Sequence, residues 1–195
     1  DMKNKKKQDL RSTGAVQAKE APAPKPKATP AAAAPVGEPK CELKGKVWWI
    51  ENQRGNKELV LPEVEQKHSI FITNCFDSVI QINGKVNQIT VEKCEKTGIV
   101  FDSVVASIEV INSKRMQVQC TGSMHTMTVD KVHEIQIYLS KDCLGASITS
   151  SVSADMNVVI PPKTDDADFT ELPIPYQFTT VIKDGKLVTE PVRHE

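Results

Sequence analysis

The chain has 195 residues, of which 26% are charged, and 25 basic side chains balance 25 acidic ones. Charge is uneven along the sequence, because residues 1–40 carry a net charge of +5 and residues 41–195 a net charge of −5. This acidic body argues against nucleic-acid binding. No apolar run approaches the roughly 20 residues that a membrane-spanning helix needs, so we expect no membrane insertion.

Residues 1–40 have the composition of an unfolded tail. Lysines are concentrated in residues 1–13, and residues 14–40 are rich in Pro, Ala and Lys. Such a composition buries too little apolar surface to offset the conformational entropy of folding. We therefore predict a basic segment over 1–13 and a disordered linker over 14–40. The chain lacks an initial Met and begins partway through a sequence pattern, which indicates a fragment of a longer protein.

A 19-residue periodicity dominates residues 41–162. Apolar residues recur in two series, which are Ile70, Ile89, Ile108, Met127 and Ala146, and Ile80, Ile99, Val118, Ile137 and Met156. Apolar and polar residues alternate around these positions, as in β-strands, and so short a repeat buries its apolar face only by stacking on its neighbours. We predict an all-β fold, a parallel β-helix of 19-residue coils from about 69 to 160, preceded by less regular strands at 47–50 and 59–61.

The five cysteines indicate a reducing compartment. Their number is odd, they form no Cys-x-x-Cys, and most fall in or beside core positions of the repeat, so we expect a cytoplasmic protein. Cys75 and Cys94 are one repeat apart and within disulfide reach. Two free thiols stacked in the core are the favoured interpretation.

The sequence changes character after Pro161 and Pro162, which end the repeat. Asp184-Gly185 separates two runs of β-forming residues and predicts a hairpin, because both positions of a type I′ turn have positive φ. The last coil of a solenoid exposes an unpaired edge, which a hairpin over 163–195 would cover in its own chain or in a second copy. The residues predicted to make a dimer contact are Phe178, Val181, Ile182, Leu187 and Val188.

Several segments resemble one known family. They are 46–53 (KVWWIENQ), 82–91 (INGKVNQITV), 98–102, 109–114 (EVINSK), 138–141, 155–161, 168–178 (DFTELPIPYQF) and 186–189. In this order they are similar to the C-terminal domain of cyclase-associated protein. Residues 1–11 resemble the trailing half of that family's Wiskott-Aldrich homology 2 motif. The final residues 191–195 differ from the family's endings.

The resemblance implies a cytoskeletal regulator of monomeric actin. It implies a homodimeric, right-handed β-helix that exchanges C-terminal strands, binds ADP-actin and promotes replacement of ADP by ATP. A passive dimeric scaffold without exchange activity is the alternative. Tubulin-folding cofactor C shares the family fold and stimulates a GTPase through a Gln-x-Arg motif, but this chain has no Gln-x-Arg.

The residues themselves predict neither an enzyme nor a cofactor. The chain has no Gly-x-x-x-x-Gly-Lys-Ser/Thr and no Gly-x-Gly-x-x-Gly loop to hold a nucleotide. Its four histidines lack metal-ligand spacing. Glu92 and Asp130 share one phase two coils apart with Ile111 between them, which is not a clear acid and base pair.

The outward-facing positions supply a candidate partner surface. A rigid sheet face of mixed polarity suits a protein partner, although an ordinary solvated face is the alternative for any single residue. Segment 109–114, which resembles the family, lies in this face. The residues predicted to bind actin are Thr90, Glu92, Glu109, Asn112, Lys114 and Lys131 in the coils, and Lys5, Lys6, Lys7 and Leu10 in the tail.

Overall fold

The computed structural model of the protein describes residues 37–61, 63–164 and 168–192, which form two long sheets and one hairpin. Sheet A comprises β1 (Lys40–Lys44), β2 (Val47–Glu51), β4 (Ser69–Thr73), β6 (Gln88–Glu92), β8 (Ile108–Ile111), β10 (Thr126–Asp130) and β12 (Ser147–Ser151). Sheet B comprises β3 (Leu59–Leu61), β5 (Val79–Val86), β7 (Gly98–Val104), β9 (Lys114–Cys120), β11 (His133–Tyr138), β13 (Ala154–Ile160) and β14 (Thr170–Ile174). The hairpin comprises β15 (Phe178–Lys183) and β16 (Lys186–Pro191).

The chain alternates between sheets A and B and so winds as a parallel β-helix. Strands β2 to β12 of sheet A pair in parallel, as do strands β3 to β13 of sheet B. The register aligns Ile70 with Ile89, and Ile108 with Met127. The predicted 19-residue coils are therefore confirmed, as are the strands predicted at 47–50 and 59–61.

The hydrophobic core lies between the two sheets. Alternate residues of each strand point inward, so that Ile70 and Ile72 of β4 face Ile80 and Ile82 of β5 from the opposite side of the coil, and all four are buried. Burial of one such side chain contributes about 1.5–3 kcal/mol. No single coil has a core of its own, so the coils are stable only as a stack.

The last coil is longer than the repeat predicts. The observed pairs are Met127 with Ile148 and Ile137 with Val158, in place of the predicted Ala146 and Met156. The cause is a short 3₁₀ helix, Lys141–Cys143, between β11 and β12, whose first turn is capped by the Ser140 hydroxyl accepting the Asp142 N–H at 3.2 Å. This turn takes up two additional residues, so the positions predicted from the 19-residue interval are wrong in this coil.

Residues with positive φ mark the corners of the coils. The column that follows sheet A consists of Asn52, Asn74, Lys93, Asn112, Lys131 and Val152, with φ between 49° and 57°. Asn adopts this conformation readily, whereas a β-branched residue does so only under strain. Val152 is thus the exceptional member of the column, and it is 81% exposed.

The C-terminal region covers the end of sheet B. Strand β14 pairs antiparallel with β13, and the sequence did not predict it as a strand. The predicted hairpin is confirmed, with φ of 49° at Asp184 and 74° at Gly185. Within the described chain the hairpin pairs with neither long sheet, so it does not cover the edge of its own coils, and β12 remains the last strand of sheet A. None of the residues described here forms a helix long and apolar enough to cross a membrane.

Candidate protein-binding surfaces

The outer face of sheet A carries three of the residues predicted to bind actin. Thr90 lies between Phe71 and Glu109 in one ladder, and Glu92 lies beside Ile111 in the next. Their side chains are half-buried because parallel neighbours on the adjoining coils flank them on both sides. Each is therefore held on a rigid element, at positions that the 19-residue repeat predicted.

Acidic and basic side chains alternate where sheet A ends. Glu92 forms an ion pair with Lys93 at 3.0 Å, and Asp130 lies 3.9 Å from Lys131. The two lysines occupy the positive-φ corner that follows sheet A. Exposed pairs of this kind contribute only about 0–1 kcal/mol, so their charges are available to a partner.

Three predicted residues meet at the corner between the sheets. Asn112 and Lys131 follow sheet A, whereas Lys114 begins β9 of sheet B. They line a shallow concavity of about 320 Å³, together with His133 and Val152. The six predicted coil residues therefore divide into a group on the sheet face and a group at the corner.

An aromatic pair extends the sheet A face and was missed by the sequence analysis. The ring centroids of Trp49 and Phe71 lie 4.9 Å apart with an angle of 56° between the planes. Trp49 points outward and its neighbour Trp48 is buried, because successive residues of a strand face opposite sides. Trp49 pairs with Phe71, which is 22 residues later in the sequence. The 19-residue interval that predicted the other ladder members therefore does not relate these two residues.

Ionisable side chains also bridge the coils at the start of sheet B. Lys57 donates to Asp77 at 2.7 Å, Arg115 pairs with Glu95, and His133 Nε2 lies 3.0 Å from Asp155 Oδ2. The Lys57 ammonium holds the pKa of the Asp77 carboxyl below its usual value, mainly through their hydrogen bond. Each pair joins successive coils and is exposed. Such pairs help to align the coils but contribute little to the free energy of unfolding.

The described cysteines are free thiols. Cys75 and Cys94 are buried in neighbouring coils. The Cys75 thiol donates to the Thr73 carbonyl and the Cys94 thiol donates to the Glu92 carbonyl, each at 3.4 Å. Hydrogen bonding with Cys94 lowers the pKa of Cys75, and hydrogen bonding with Cys75 together with burial raises the pKa of Cys94. In the described ranges no three His, Cys, Asp or Glu side chains group as metal ligands.

The residues predicted to mediate dimerisation lie on both faces of the hairpin. Ile182 is directly opposite Leu187, and these side chains are 76% and 73% exposed. Phe178 lies on the same face, because it is four residues before Ile182 in the strand. The pair of Val181 and Val188 lies on the other face. The hairpin thus exposes large apolar side chains that none of the other described strands covers.

The remaining predicted residues lie in the tail. Lys5, Lys6, Lys7 and Leu10 lie outside the described residues, as do residues 14–36 of the linker predicted over 14–40.

Comparison with known proteins identifies the family. The fold first defines the class, a parallel β-helix domain with a separate C-terminal hairpin. A sequence model described as adenylate cyclase associated (CAP) C terminal matches residues 37–194. The chain therefore belongs to the family of C-terminal domains of adenylyl cyclase-associated proteins, as its sequence resemblance predicted.

Individual relatives agree with this assignment. Cyclase-associated protein 1 of Arabidopsis thaliana is 45% identical over 197 residues, covering 100% of this chain and 40% of that protein. The adenylyl cyclase-associated protein of Dictyostelium discoideum is 45% identical over 152 residues, covering 78% of this chain and 33% of that protein. The crystal structure of cyclase-associated protein from Cryptosporidium parvum matches with a TM-score of 0.75 at 31% identity, covering 80% of this chain and 96% of that one. The chain thus spans less than half the length of the Arabidopsis and Dictyostelium proteins.

Proposed function

We propose that this protein binds ADP-bound actin monomers through sheet A and the adjoining corner, and promotes replacement of ADP by ATP. The observation that carries the proposal is the pair of rigid outward ladders, one with Thr90 and Glu109 and the next with Glu92, which continue into Asn112 and Lys131 at the corner. The resemblance to cyclase-associated protein, which implies an actin regulator, supports the same partner.

The proposed mechanism needs no catalytic side chain. A partner shifts a conformational equilibrium only by its differential affinity for the two states. A β-helix is stiff because every coil is hydrogen-bonded to the next, so its face fits one conformation of actin better than another. We infer that the favoured conformation has the looser nucleotide cleft, from which ADP leaves faster. The nucleotide site used is that of actin.

We also propose that two copies associate through the hairpin. Strand β12 is the last strand of sheet A and has no pairing partner beyond β10 in the described chain. Beside its end, Ser150, Val152, Tyr176 and Phe178 line one concavity, so the exposed apolar side chains at the base of the hairpin lie close to the open edge. An isolated hairpin of this size is marginally stable, whereas pairing with a second copy would bury both features.

The test measures release of fluorescent ADP from monomeric actin in the presence of the full chain. The variant with Glu109→Ala, Asn112→Ala and Lys114→Ala should lose acceleration while keeping the parental melting temperature. The matched control replaces three exposed polar residues on the outside of sheet B, Gln81→Ala, Gln117→Ala and Gln119→Ala. Parental exchange by the first variant would refute the proposed face. Absence of acceleration by the parent would favour the passive scaffold.

The tail is proposed to raise affinity for actin. Its lysines, including Lys5, Lys6 and Lys7, give it a contribution that should weaken as salt is added, because exposed charges are screened over about 10 Å at 0.1 M. Deletion of residues 1–13 should weaken binding but preserve the exchange rate at saturating protein. A lower rate at saturation would instead place part of the exchange activity in the tail.

A further inference from the structure

Two buried thiols meet where the sequence repeat is broken. The Sγ atoms of Cys120 and Cys143 lie 3.1 Å apart, and the side chains are 3% and 0% exposed. Cys120 ends β9, and Cys143 belongs to the 3₁₀ helix that lengthens the last coil. The residues are 23 positions apart, so the 19-residue interval does not bring them together. We propose that this pair is a site at which peroxide forms an intramolecular disulfide.

Tight backbone packing holds the two sulfur atoms in place. The Cys120 thiol donates to the Asp102 carbonyl at 3.5 Å, and the Cys143 thiol donates to the Gly122 carbonyl at 3.3 Å. A Cβ atom on Gly122 would lie 2.6 Å from the Asp102 carbonyl oxygen, so the coils approach here as closely as glycine permits. The Ser140 hydroxyl also donates to the Gly122 carbonyl, which fixes the start of the 3₁₀ helix. The backbone thus leaves the sulfurs few alternative positions.

The turn that carries Cys143 gives the pair access to solvent. Cys143 is buried beneath a single turn whose other members are exposed, and Leu144 is 56% exposed. The backbone hydrogen bonds of the turn lie within it, from the Cys143 N–H to the Ser140 carbonyl and from the Ala146 N–H to the Cys143 carbonyl, and two side-chain bonds to the Gly122 carbonyl, from Ser140 and Cys143, tie it to the neighbouring coil. Local opening of one surface turn therefore exposes Cys143 while the stacked strands stay intact.

The stacked thiols Cys75 and Cys94 provide an internal comparison. Their surroundings are bonded to coils on both sides, since the Phe76 N–H donates to the Gln53 carbonyl at 2.8 Å and the Glu95 N–H donates to the Cys75 carbonyl at 3.0 Å. Exposure of either thiol requires these bonds between coils to break. Oxidation should accordingly be faster at Cys143 than at Cys75 or Cys94.

The reaction proceeds in two steps with hydrogen peroxide as the oxidant. Peroxide first oxidises the Cys143 thiol to a sulfenic acid and is itself reduced to water. The Cys120 sulfur then attacks the sulfenic sulfur, the S–S bond forms, and the S–O bond breaks with release of a second water. Two thiols and one peroxide thus give one disulfide and two waters. The sulfurs close from 3.1 Å to about 2.05 Å.

The assignment of steps follows from the positions of the two thiols in the fold. Burial, followed by hydrogen bonding with Cys143, raises the pKa of the Cys120 thiol, which disfavours its thiolate as the first nucleophile. Cys120 is also held in a strand, whereas Cys143 lies on the turn that opens. Cys143 is thus the residue that meets the oxidant and Cys120 is the residue that resolves it.

The disulfide would join the end of β9 to the turn that leads into β12. Because β12 is the last strand of sheet A, the link would tie the C-terminal end of that sheet to a strand in the interior of sheet B. Closing a loop of this length restricts the unfolded chain, and the expected rise in melting temperature is roughly 5 °C or more. The disulfide formed by oxidation would therefore reduce fraying of the last coils.

The experiment exposes the native full chain to hydrogen peroxide, blocks remaining thiols with an alkylating agent, and maps the peptides by mass spectrometry. A Cys41→Ser background removes the exposed thiol that would join two molecules. The expected product is a linked pair of peptides containing Cys120 and Cys143, with the loss of two hydrogen atoms, formed before any link between Cys75 and Cys94. A thiol reductant should reverse both the link and the rise in melting temperature.

Two variants and one denatured control separate the proposal from its alternatives. Cys120→Ala should leave a sulfenic acid on Cys143 that dimedone traps, whereas Cys143→Ala should leave Cys120 unmodified over the same time. The unsubstituted chain supplies the same peptide map if a variant fails to fold. A link between Cys120 and Cys143 that forms only in denaturant, or more slowly than a link between Cys75 and Cys94, would overturn the proposal.

Discussion

Apolar side chains are buried in the stacked coils but exposed in the C-terminal region. From Ile70 to Ile137 the apolar members of the repeat are buried between sheets A and B. From 169 to 192, by contrast, most large apolar side chains are exposed, including Phe178, Ile182 and Leu187. Both regions contain alternating β-forming residues. Local pattern therefore decides strand formation, whereas burial depends on whether another layer is present to cover the strand.

The largest expected effect comes from placing a charge inside the coils. Val110→Asp would bury an unpaired carboxylate between stacked coils, at a cost of several kcal/mol against a typical total stability of about 5–15 kcal/mol. The domain should unfold at room temperature. Its control, Glu109→Ala, alters the adjacent outward side chain and should melt within a few degrees of the parent by circular dichroism. Equal destabilisation by both changes would contradict the inward register of Val110.

Replacing apolar side chains of the hairpin by polar ones should, by contrast, leave the coils folded. Ile182→Ser with Leu187→Ser removes two exposed apolar side chains, so the coils should melt as in the parent while the dimer dissociates about 100-fold more readily. Analytical ultracentrifugation would measure the dissociation. Val181→Ser with Val188→Ser, on the less exposed face, should have the smaller effect. A dimer that survives both double changes would exclude the hairpin as its contact.

A single methyl group tests how closely the coils pack at Gly122. Its Cβ would lie 2.4 Å from Ser103 Oγ and 2.6 Å from the Asp102 carbonyl oxygen, so Gly122→Ala should destabilise the domain by about 1–3 kcal/mol. Gly145→Ala is the matched control, because a Cβ there meets nothing within 4 Å. Urea denaturation should show a loss for the first variant and at most a small gain for the second. Similar midpoints for the two variants would contradict the close approach.

The smallest expected effect concerns the exposed ion pair of Lys57 and Asp77. Lys57→Met should raise the pKa of the Asp77 carboxyl toward its ordinary value, which NMR titration would detect. A lowered pKa in the folded state stabilises the protein above the unfolded pKa, and this contribution is lost as the pH falls through the folded pKa. The variant should therefore lose its small stability difference from the parent in acid. A difference that grows on acidification would contradict the sign.

Much of the regular fold was predictable because the information is local and repeated. The interval from Ile70 to Ile108 revealed the coil, alternation around it revealed the strands, and Asp184-Gly185 revealed the hairpin turn. Strand β14 was missed because Pro173 weakens a strand signal. The structure accommodates this proline in the strand at the end of sheet B, where a missing N–H costs least.

The residues of the candidate sites were likewise predictable only where the 19-residue interval holds. The repeat correctly placed Thr90, Glu92 and Glu109 in outward ladders, although whether actin contacts them remains a proposal. It failed for Trp49, whose partner Phe71 is 22 residues away, and for the pairing of Met127, because the following turn is two residues longer. Insertions between strands change which residues are neighbours without altering the strands themselves.

The sequence by itself determined that this protein is a stack of short β-coils with a terminal hairpin, because a period of 19 residues and alternating polarity permit no other burial of the apolar set. Tertiary structure alone decided that Cys120 meets Cys143, that Lys114 and Lys131 line one concavity at a corner, and that the other described strands leave the hairpin uncovered. Contacts between coils depend on loop length and on the register of distant strands, and neither is encoded in the local alternation of side chains.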